Sequence, residues 1–535
     1  MRIAQFFFIF KNQYMKRSSN YLFFAAFIYL FSACTTTKKA IAPPAFNPEN
    51  FVEAYIVQMN DVYEIGALEG GKRGGLARVS TVVNELRAKN PNTYLIMAGD
   101  FLNPSFLGTL KYEGKSIKGR QMVDVLNTMK LDYAILGNHE FDLDYADLQA
   151  RIDESKFKWL SSDCYDMSSG SALKFHKNVD GKPLYFEFYT KLDIPNGVEN
   201  PFTIGLFSAT IPLVKKDYVM YKNFYEEAPK GSYILSQFTD VNVGITHLEI
   251  MQDTTLARLV AVNGTPLLMG GHDHENMKVK IGKTTITKAD ANAKSVYVHR
   301  FLMEKSTRKV TVDSKLVLID EKIKEDSTVN FVVDKWKKIG EESMRKQGFD
   351  PNAVVGKVIE KLNGRESSMR NEQNEMGNLI AQSMLFVAKK AKIALFNSGS
   401  VRIDDFLTGN ITETDVLRIM PYGGALVEVD MKGSLLIQLL EAGDKNKGKG
   451  GYLQRSRNLS KLNDKWFWDK QAIDAKETYT IITSKFLFEG NEKNIEYFTK
   501  ANENVLKSDF PDPNNTFDNR NDIRKAFIAY LRSGK

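Results

Sequence analysis

Short apolar runs of four to six residues recur between positions 55 and 274, and each is followed at once by a residue able to bind a metal ion. Residues 55–59 run into Asn60-Asp61, 94–98 into Gly99-Asp100, and 133–136 into Gly137-Asn138-His139-Glu140. Residues 241–245 run into Thr246-His247, and 266–269 into Gly270-Gly271-His272-Asp273-His274. Runs of this length bounded by glycine or polar residues predict buried strands. Leu76–Lys89 and residues 122–129 carry a helical pattern between the first three. The pattern therefore predicts an α/β fold whose ligands gather at the carboxyl ends of strands and converge on one crevice.

Taken singly, an aspartate after a strand is most often a helix cap and a lone histidine most often structural. The set carries the argument, because four of only six histidines stand in these five places. Asp61, Asp100, Asn138, His247, His272 and His274, with His139 beside them, offer oxygen and imidazole donors without a thiolate. Such donors suit manganese, zinc, iron or similar divalent ions. A carboxylate such as Asp100 can bridge two ions about 3.5–4 Å apart, the arrangement of two-metal phosphoester hydrolysis.

At 535 residues the chain is too long for one ordinary core, so two or three domains are expected. A hydrophobic share of 43% excludes a disordered chain. The formal charge is +8, but Arg2, Lys11, Lys16 and Arg17 all fall within residues 1–33, which hold no acid. So small an excess on the remainder, without a basic stripe, argues against a nucleic acid polymer as partner. Two cysteines, Cys34 and Cys164, exclude a disulfide framework.

Lys16-Arg17, an apolar run over 21–31 and then Ser32-Ala33-Cys34 have the order of a secretory signal. The run is too short to cross a bilayer as a helix, which takes roughly 20 residues. Phe31-Ser32-Ala33-Cys34 resembles the bacterial lipobox, with Phe31 where leucine is usual. The resemblance implies lipidation of Cys34 and a membrane-anchored lipoprotein, with Met15 as a more conventional start. Thr35, where inner-membrane retention often uses aspartate, favours the outer membrane. Pro43, Pro44 and Pro48 make an extended tether of residues 34–50.

Asn60-Asp61-Val62, Gly74-Gly75-Leu76-Ala77-Arg78, Gly99-Asp100, Gly137-Asn138-His139-Glu140-Phe141-Asp142, Thr246-His247-Leu248 and Gly271-His272-Asp273-His274 together resemble the calcineurin-like metallophosphoesterases. More narrowly they are similar to the bacterial 5′-nucleotidase and UDP-sugar hydrolase family. The resemblance implies a metallophosphoesterase αββα sandwich followed by a smaller α/β substrate-binding domain. It places Asp61 and His274 on a first metal, Asn138, His247 and His272 on a second, and Asp100 on both. His139, oriented by Asp142, would stabilise charge at the phosphoryl or leaving group, and a metal-bound hydroxide would attack phosphorus. Arg370-Asn371-Glu372-Gln373-Asn374-Glu375-Met376-Gly377-Asn378, Asn397-Ser398-Gly399-Ser400-Val401-Arg402, Pro421-Tyr422-Gly423-Gly424 and Thr483-Ser484-Lys485-Phe486 resemble the same family's carboxyl-terminal domain. They imply that Arg370 and Arg402, with Arg365 as a neighbour, hold substrate oxygens while Tyr422 and Phe486 stack on a base. Expected boundaries are 1–33 signal, 34–50 tether, 51–320 phosphoesterase domain, 321–349 connecting helix and 350–535 substrate domain, with the substrate held in a cleft between the two domains.

Three departures stand out. Tyr63 replaces the family's second histidine after Asp61, and a neutral phenol with a pKa near 10 is a poor ligand for a divalent ion. It either turns away and leaves its place to water, the favoured expectation, or leaves the first site weakly filled, or binds a trivalent iron as phenolate. Gly424 replaces a base-reading asparagine, and Gly490-Asn491-Glu492-Lys493-Asn494 replaces a glycine-rich loop, with Glu492 keeping a carboxylate. The reading is an exported phosphoesterase acting on nucleotides or related phosphoesters. Its alternatives are a sulfur-compound thiohydrolase on the same scaffold and a surface binding protein with weakened catalysis.

Overall fold

Residues 47–195 and 200–534 are described in the computed structural model, so the expected signal, Cys34 and most of the tether lie outside the described residues. In chain order the first part runs β1 (Phe51–Met59), α1 (Leu76–Lys89), β2 (Thr93–Met97), α2 (Arg120–Thr128), β3 (Tyr133–Ile135), α3 (Tyr145–Glu154) and β4 (Lys158–Leu160). It continues with β5 (Tyr189–Ile194), β6 (Phe202–Thr210), α4 (Phe224–Leu235), β7 (Val241–His247), α5 (Ile250–Val260), β8 (Leu267–Gly271), β9 (Met277–Ile281) and β10 (Thr284–Lys288). Strands β11 (Ser295–Glu304) and β12 (Val310–Leu318) close it. One sheet has the order β12-β11-β1-β2-β3-β4 and the other β5-β6-β7-β8-β10-β9. Strands β1 to β4 are parallel, as are β6, β7, β8 and β10, while the remaining strands join antiparallel.

Strand alternation builds the layers. In β1, Ala54 and Ile56 pack with Ile204, Val243, Ile245 and Met269 of the second sheet. Val57 and Met59, on the opposite face, pack with Leu76 and Val79 of α1 and Met122 and Val125 of α2. Phe207 and Leu268 turn outward onto Phe224, Ala228 and Leu256 of α4 and α5. Helices thus cover both outer faces of two packed sheets, the αββα sandwich expected.

Helix α6 (Ser327–Lys346) follows, capped by Asp326, whose side chain accepts from the Thr328 and Val329 N–H groups. Its Val329, Val333 and Trp336 belong to the first core, and Met344 to the next. The second part holds a ribbon of β13 (Val354–Asn363) with a later strand, α7 (Glu375–Val387), β14 (Ile393–Asn397), β15 (Phe406–Thr412) and β16 (Leu426–Lys432). Helix α8 (Gly433–Lys445), β17 (Leu453–Arg455), β18 (Thr478–Ser484), β19 (Val505–Asp509) and α9 (Ile523–Arg532) complete it. Its sheet has the order β17-β14-β18-β16-β19, and β13 pairs with β15. Phe106 from the first part is buried in this second core, and residues 48–535 make one compact unit. No helix among the described residues is long and apolar enough to cross a membrane.

Candidate metal centre

The strand ends bring the expected ligands together on strained backbone. Asp61 follows β1, Asp100 follows β2 and His272 follows β8, with φ of 53°, 55° and 74°. Left-handed backbone at non-glycine residues costs of order 1–3 kcal/mol and persists where surrounding bonds over-determine it. Here the Asp61 N–H donates to Gly99 O (3.1 Å), the His272 N–H to Asp61 Oδ2 (2.9 Å) and the Asp100 N–H to Glu140 Oε2 (2.9 Å). The flanking glycines are needed for close approach: a Cβ at Gly99 would stand 2.6 Å from His247 Nδ1, and one at Gly271 2.7 Å from it.

Asp100, His247 and His272 present one ligand atom each within 4.8 Å of one another. His247 is fully buried, and its Nδ1 donates to the Ala98 carbonyl at 2.8 Å. That bond aims Nε2 inward, where it is buried and pairs with Asp100 Oδ2 at 3.0 Å. Burial alone would lower the His247 pKa, but the Asp100 and Asp61 carboxylates raise it to about 9. Asn138 Oδ1 lies 3.1 Å from His272 Nδ1. Carboxylate, amide and imidazole donors converging in this way fit a divalent ion. Asp61 and His274 stand alongside, with His274 Nε2 3.3 Å from Asp61 Oδ1.

Two residues that sequence reasoning left unassigned hold this arrangement. The buried Glu140 carboxylate accepts the N–H groups of Asp100 (2.9 Å), Phe101 (2.8 Å), Leu102 (3.0 Å) and Gly137 (2.7 Å), fixing both loops that carry ligands. Lys288, fully buried, donates to Leu248 O, to Gly271 O (2.7 Å) and to Asp273 Oδ2 (2.7 Å), and pairs with Asp253 (2.8 Å). It ties the loop after His247 to the loop bearing His272. Glu140 sits inside a motif visible in the sequence; Lys288 has no such signal.

His139 and Asp142 are joined as expected, Nδ1 to Oδ2 at 2.8 Å. The same Oδ2 accepts from Asn103 Nδ2 (2.9 Å) and from Arg402 Nη2 (2.7 Å), which reaches across from the second part. Burial opposes charge on His139, but Asp100, Asp142 and Glu366 outweigh it and hold the imidazole well above its ordinary pKa. Arg370 pairs with Glu366. Glu366 was not anticipated, although it lies between Arg365 and Arg370 in the chain.

Tyr63 corrects the favoured expectation. It is only 3% exposed and its hydroxyl points into the centre, not away from it. The oxygen lies 3.2 Å from His274 Nε2 and can donate to Asp100 Oδ2 (3.4 Å) or Asp404 Oδ2 (3.5 Å). The cause is plain: a buried phenol needs an acceptor, and the surrounding carboxylates supply one. Burial, then Asp100, Asp404 and Asp61, raise its pKa well above the ordinary value, so the phenol is a neutral donor here.

A cavity of about 410 Å³ opens onto Asp100, Asn138, His139, His272 and His274 on one side and onto Arg365, Glu366, Arg370 and Asp404 on the other. A larger cleft of about 1000 Å³ lies elsewhere, between residues 65–77 and 408–412, and no histidine lines it. The chemistry resides in the smaller space. Tyr422 and Phe486, 62% and 49% exposed, do not line it. Glu492 accepts from Asn397 Nδ2 at 3.0 Å, and the charge of Arg370 is felt at its carboxylate.

Two sheets flanked by helices, with oxygen and imidazole donors at the strand ends beside a histidine–aspartate pair, define a metallophosphoesterase. Residues 54–276 match the calcineurin-like phosphoesterase family and residues 354–500 the 5′-nucleotidase C-terminal domain. The chain belongs to the family that combines these two domains, whose members are metal-dependent hydrolases. It is 26% identical over 477 residues to the trifunctional nucleotide phosphoesterase protein YfkN of Bacillus subtilis, covering 79% of this chain and 31% of that protein. The chain thus spans about a third of that relative. It is 25% identical over 444 residues to a snake venom 5′-nucleotidase of Crotalus adamanteus, covering 74% of this chain and 71% of the other. The crystal structure of a 5′-nucleotidase precursor from Thermus thermophilus shares the fold, with TM-score 0.62 and 21% identity over 90% of this chain and 97% of that one.

Proposed function

We propose that this protein is an exported, two-ion hydrolase that releases phosphate from nucleotides or related small phosphoesters. The observation that carries the reading is the convergence of Asp100, His247 and His272, whose ligand atoms lie within 4.8 Å of one another, beside the His139–Asp142 pair. Asp100, Asn138, His247 and His272 would hold one divalent ion, and Asp61, Asp100 and His274 the other. When bound, such ions supply Lewis acidity at the phosphoryl oxygens and lower the pKa of water toward neutrality.

The chain's own residues account for the remaining steps. Because Asp142 engages Nδ1 of His139, Nε2 is the nitrogen that faces Glu366 and Asp404 across the cavity wall, at 3.8 and 3.7 Å. A proton carried on that nitrogen would be placed for the departing oxygen. Arg370, which lines the cavity, and Arg402 beside Asp142 offer guanidinium forks to the phosphate, and a base would meet the exposed rings of Tyr422 and Phe486 only beyond the cavity. Support for nucleotides as substrates comes from the carboxyl-terminal domain and from the relatives. Support for a lipid anchor on Cys34, at the outer membrane, comes from the segment Phe31-Ser32-Ala33-Cys34 and from Thr35.

The test is phosphate release from AMP by the full chain in detergent with saturating Mn²⁺, beside Asp100→Asn. Asp100→Asn should lose at least about 100-fold in turnover, the scale of removing one electrostatic contact that matters in the transition state. Unchanged turnover in that variant would overturn the two-ion reading, and no release from AMP by the unaltered protein would overturn the nucleotide assignment.

A further inference from the structure

The first metal site lacks a ligand on its own side. Tyr63 stands where the resembling family has an imidazole, which leaves Asp61, the shared Asp100 and His274. Three protein donors leave one position of a tetrahedral site open and fall well short of the six of an octahedral oxygen-rich one. The missing donor has a candidate across the domain boundary.

Asp404, in the loop after Arg402, is only 7% exposed and enters the centre from the second domain. Its Oδ2 lies 3.4 Å from His274 Nε2, the atom that stands 3.3 Å from Asp61 Oδ1. Donors sharing one ion through bonds of roughly 2.0–2.2 Å stand roughly 3–4.4 Å apart, so both separations fit a common ion. The other oxygen, Oδ1, is anchored by the Glu366 N–H at 2.7 Å, which leaves Oδ2 turned to the site.

The backbone of Asp404 plays a second part. Its carbonyl accepts from His274 Nδ1 and so presents Nε2 as the ligand nitrogen, just as the Ala98 carbonyl does for His247. Metal-binding histidines are oriented in this way by a carbonyl or carboxylate on the far nitrogen. Asp404 also has left-handed backbone, φ 43°, like Asp61, Asp100 and His272. Within ion-pair distance among the described residues its carboxylate meets His139 and His274 and no lysine or arginine.

We propose that Asp404 closes the first metal site from the second domain, taking the place left by the imidazole missing at Tyr63. The proposal rests on the two-ion reading above. Tyr63 then serves as a hydrogen-bond donor to the carboxylates and not as a ligand.

The experiment is Mn²⁺ titration calorimetry of the full chain, with bound metal counted after gel filtration and Mn²⁺ spin coupling read by electron paramagnetic resonance. The unaltered protein should take two ions with a coupled spectrum. Asp404→Asn keeps the size and tolerates left-handed backbone; it should retain one ion, weaken the other at least tenfold and give an uncoupled spectrum. Tyr63→His combined with Asp404→Asn should recover the second ion and the coupling. Two ions of unchanged affinity in Asp404→Asn would overturn the proposal alone. A loss that Tyr63→His fails to recover would also overturn it, since Asp404 would then act only by positioning. Failure of the unaltered protein to bind two ions would overturn the two-ion reading itself.

Discussion

Replacing Glu140 with glutamine should destabilise the protein far beyond what so small a change suggests. Its carboxylate takes four backbone N–H groups, two on each oxygen: Phe101 and Leu102 on Oε1, Asp100 and Gly137 on Oε2. Glutamine keeps one acceptor oxygen and turns an NH₂ group toward the other two donors. Each buried donor left unsatisfied costs about 1–3 kcal/mol, so the expected loss is about 2–6 kcal/mol. Against a total stability of about 5–15 kcal/mol that is a large fraction. Urea unfolding of metal-free protein at pH 8, followed by tryptophan fluorescence and by circular dichroism, measures it. Because the same donors fix Asp100 and the Gly137–Asn138 turn, Mn²⁺ affinity should fall in parallel. A loss below about 1 kcal/mol would show that the N–H groups find other partners, and the account of how these loops are held would fail.

Two further outcomes follow from single contacts. Asp163 is fully buried, and burial pushes its carboxyl up to about 7, so the folded state keeps a proton that the unfolded chain releases above about 4. Its contribution is fully present below about pH 4 and falls by about 1.4 kcal/mol per pH unit as pH rises to about 7; Asp163→Asn should flatten that slope in urea titrations between pH 5 and 7, and an unchanged slope would refute the assignment. Arg402 bonds Asp142, the partner of His139, so Arg402→Ala should remove a charge-assisted contact of about 1.5–3 kcal/mol, lowering kcat/KM on AMP by about 10- to 150-fold. A change below twofold would remove Arg402 from substrate binding.

What could be read from the sequence was local and periodic. Strands that end at His247 or just before Asp61, Asp100 and His272, and helix α1 with the bounds Leu76–Lys89, follow from runs of neighbouring residues whose pattern reports which face is buried. The direction of Tyr63 did not follow, because its acceptors Asp100 and Asp404 are 37 and 341 positions away. Asp404 and Glu366 were hidden for the same reason: each acquires meaning only when the second domain is set against the first. Lys288 lies at the end of a strand whose sequence gives no reason to expect a fully buried charge, and only its carbonyl and carboxylate partners explain it. The stacking role expected of Tyr422 and Phe486 came from resemblance, and their exposed rings stand outside the cavity that holds the donors.

Helix α6 has a consequence for the mechanics of the molecule. Val329, Val333 and Trp336 are built into one core and Met344 into the other, and a Cβ on the intervening Gly340 would press to 2.7 Å of Leu107. The segment is therefore a shared rib, not a hinge pin between independent modules. Excising either half anywhere along residues 327–346 would leave the other with an unfilled slot and a stranded apolar face. Heating or pulling should accordingly release both halves in one step, and grafting one half onto a relative would require carrying the whole rib with it.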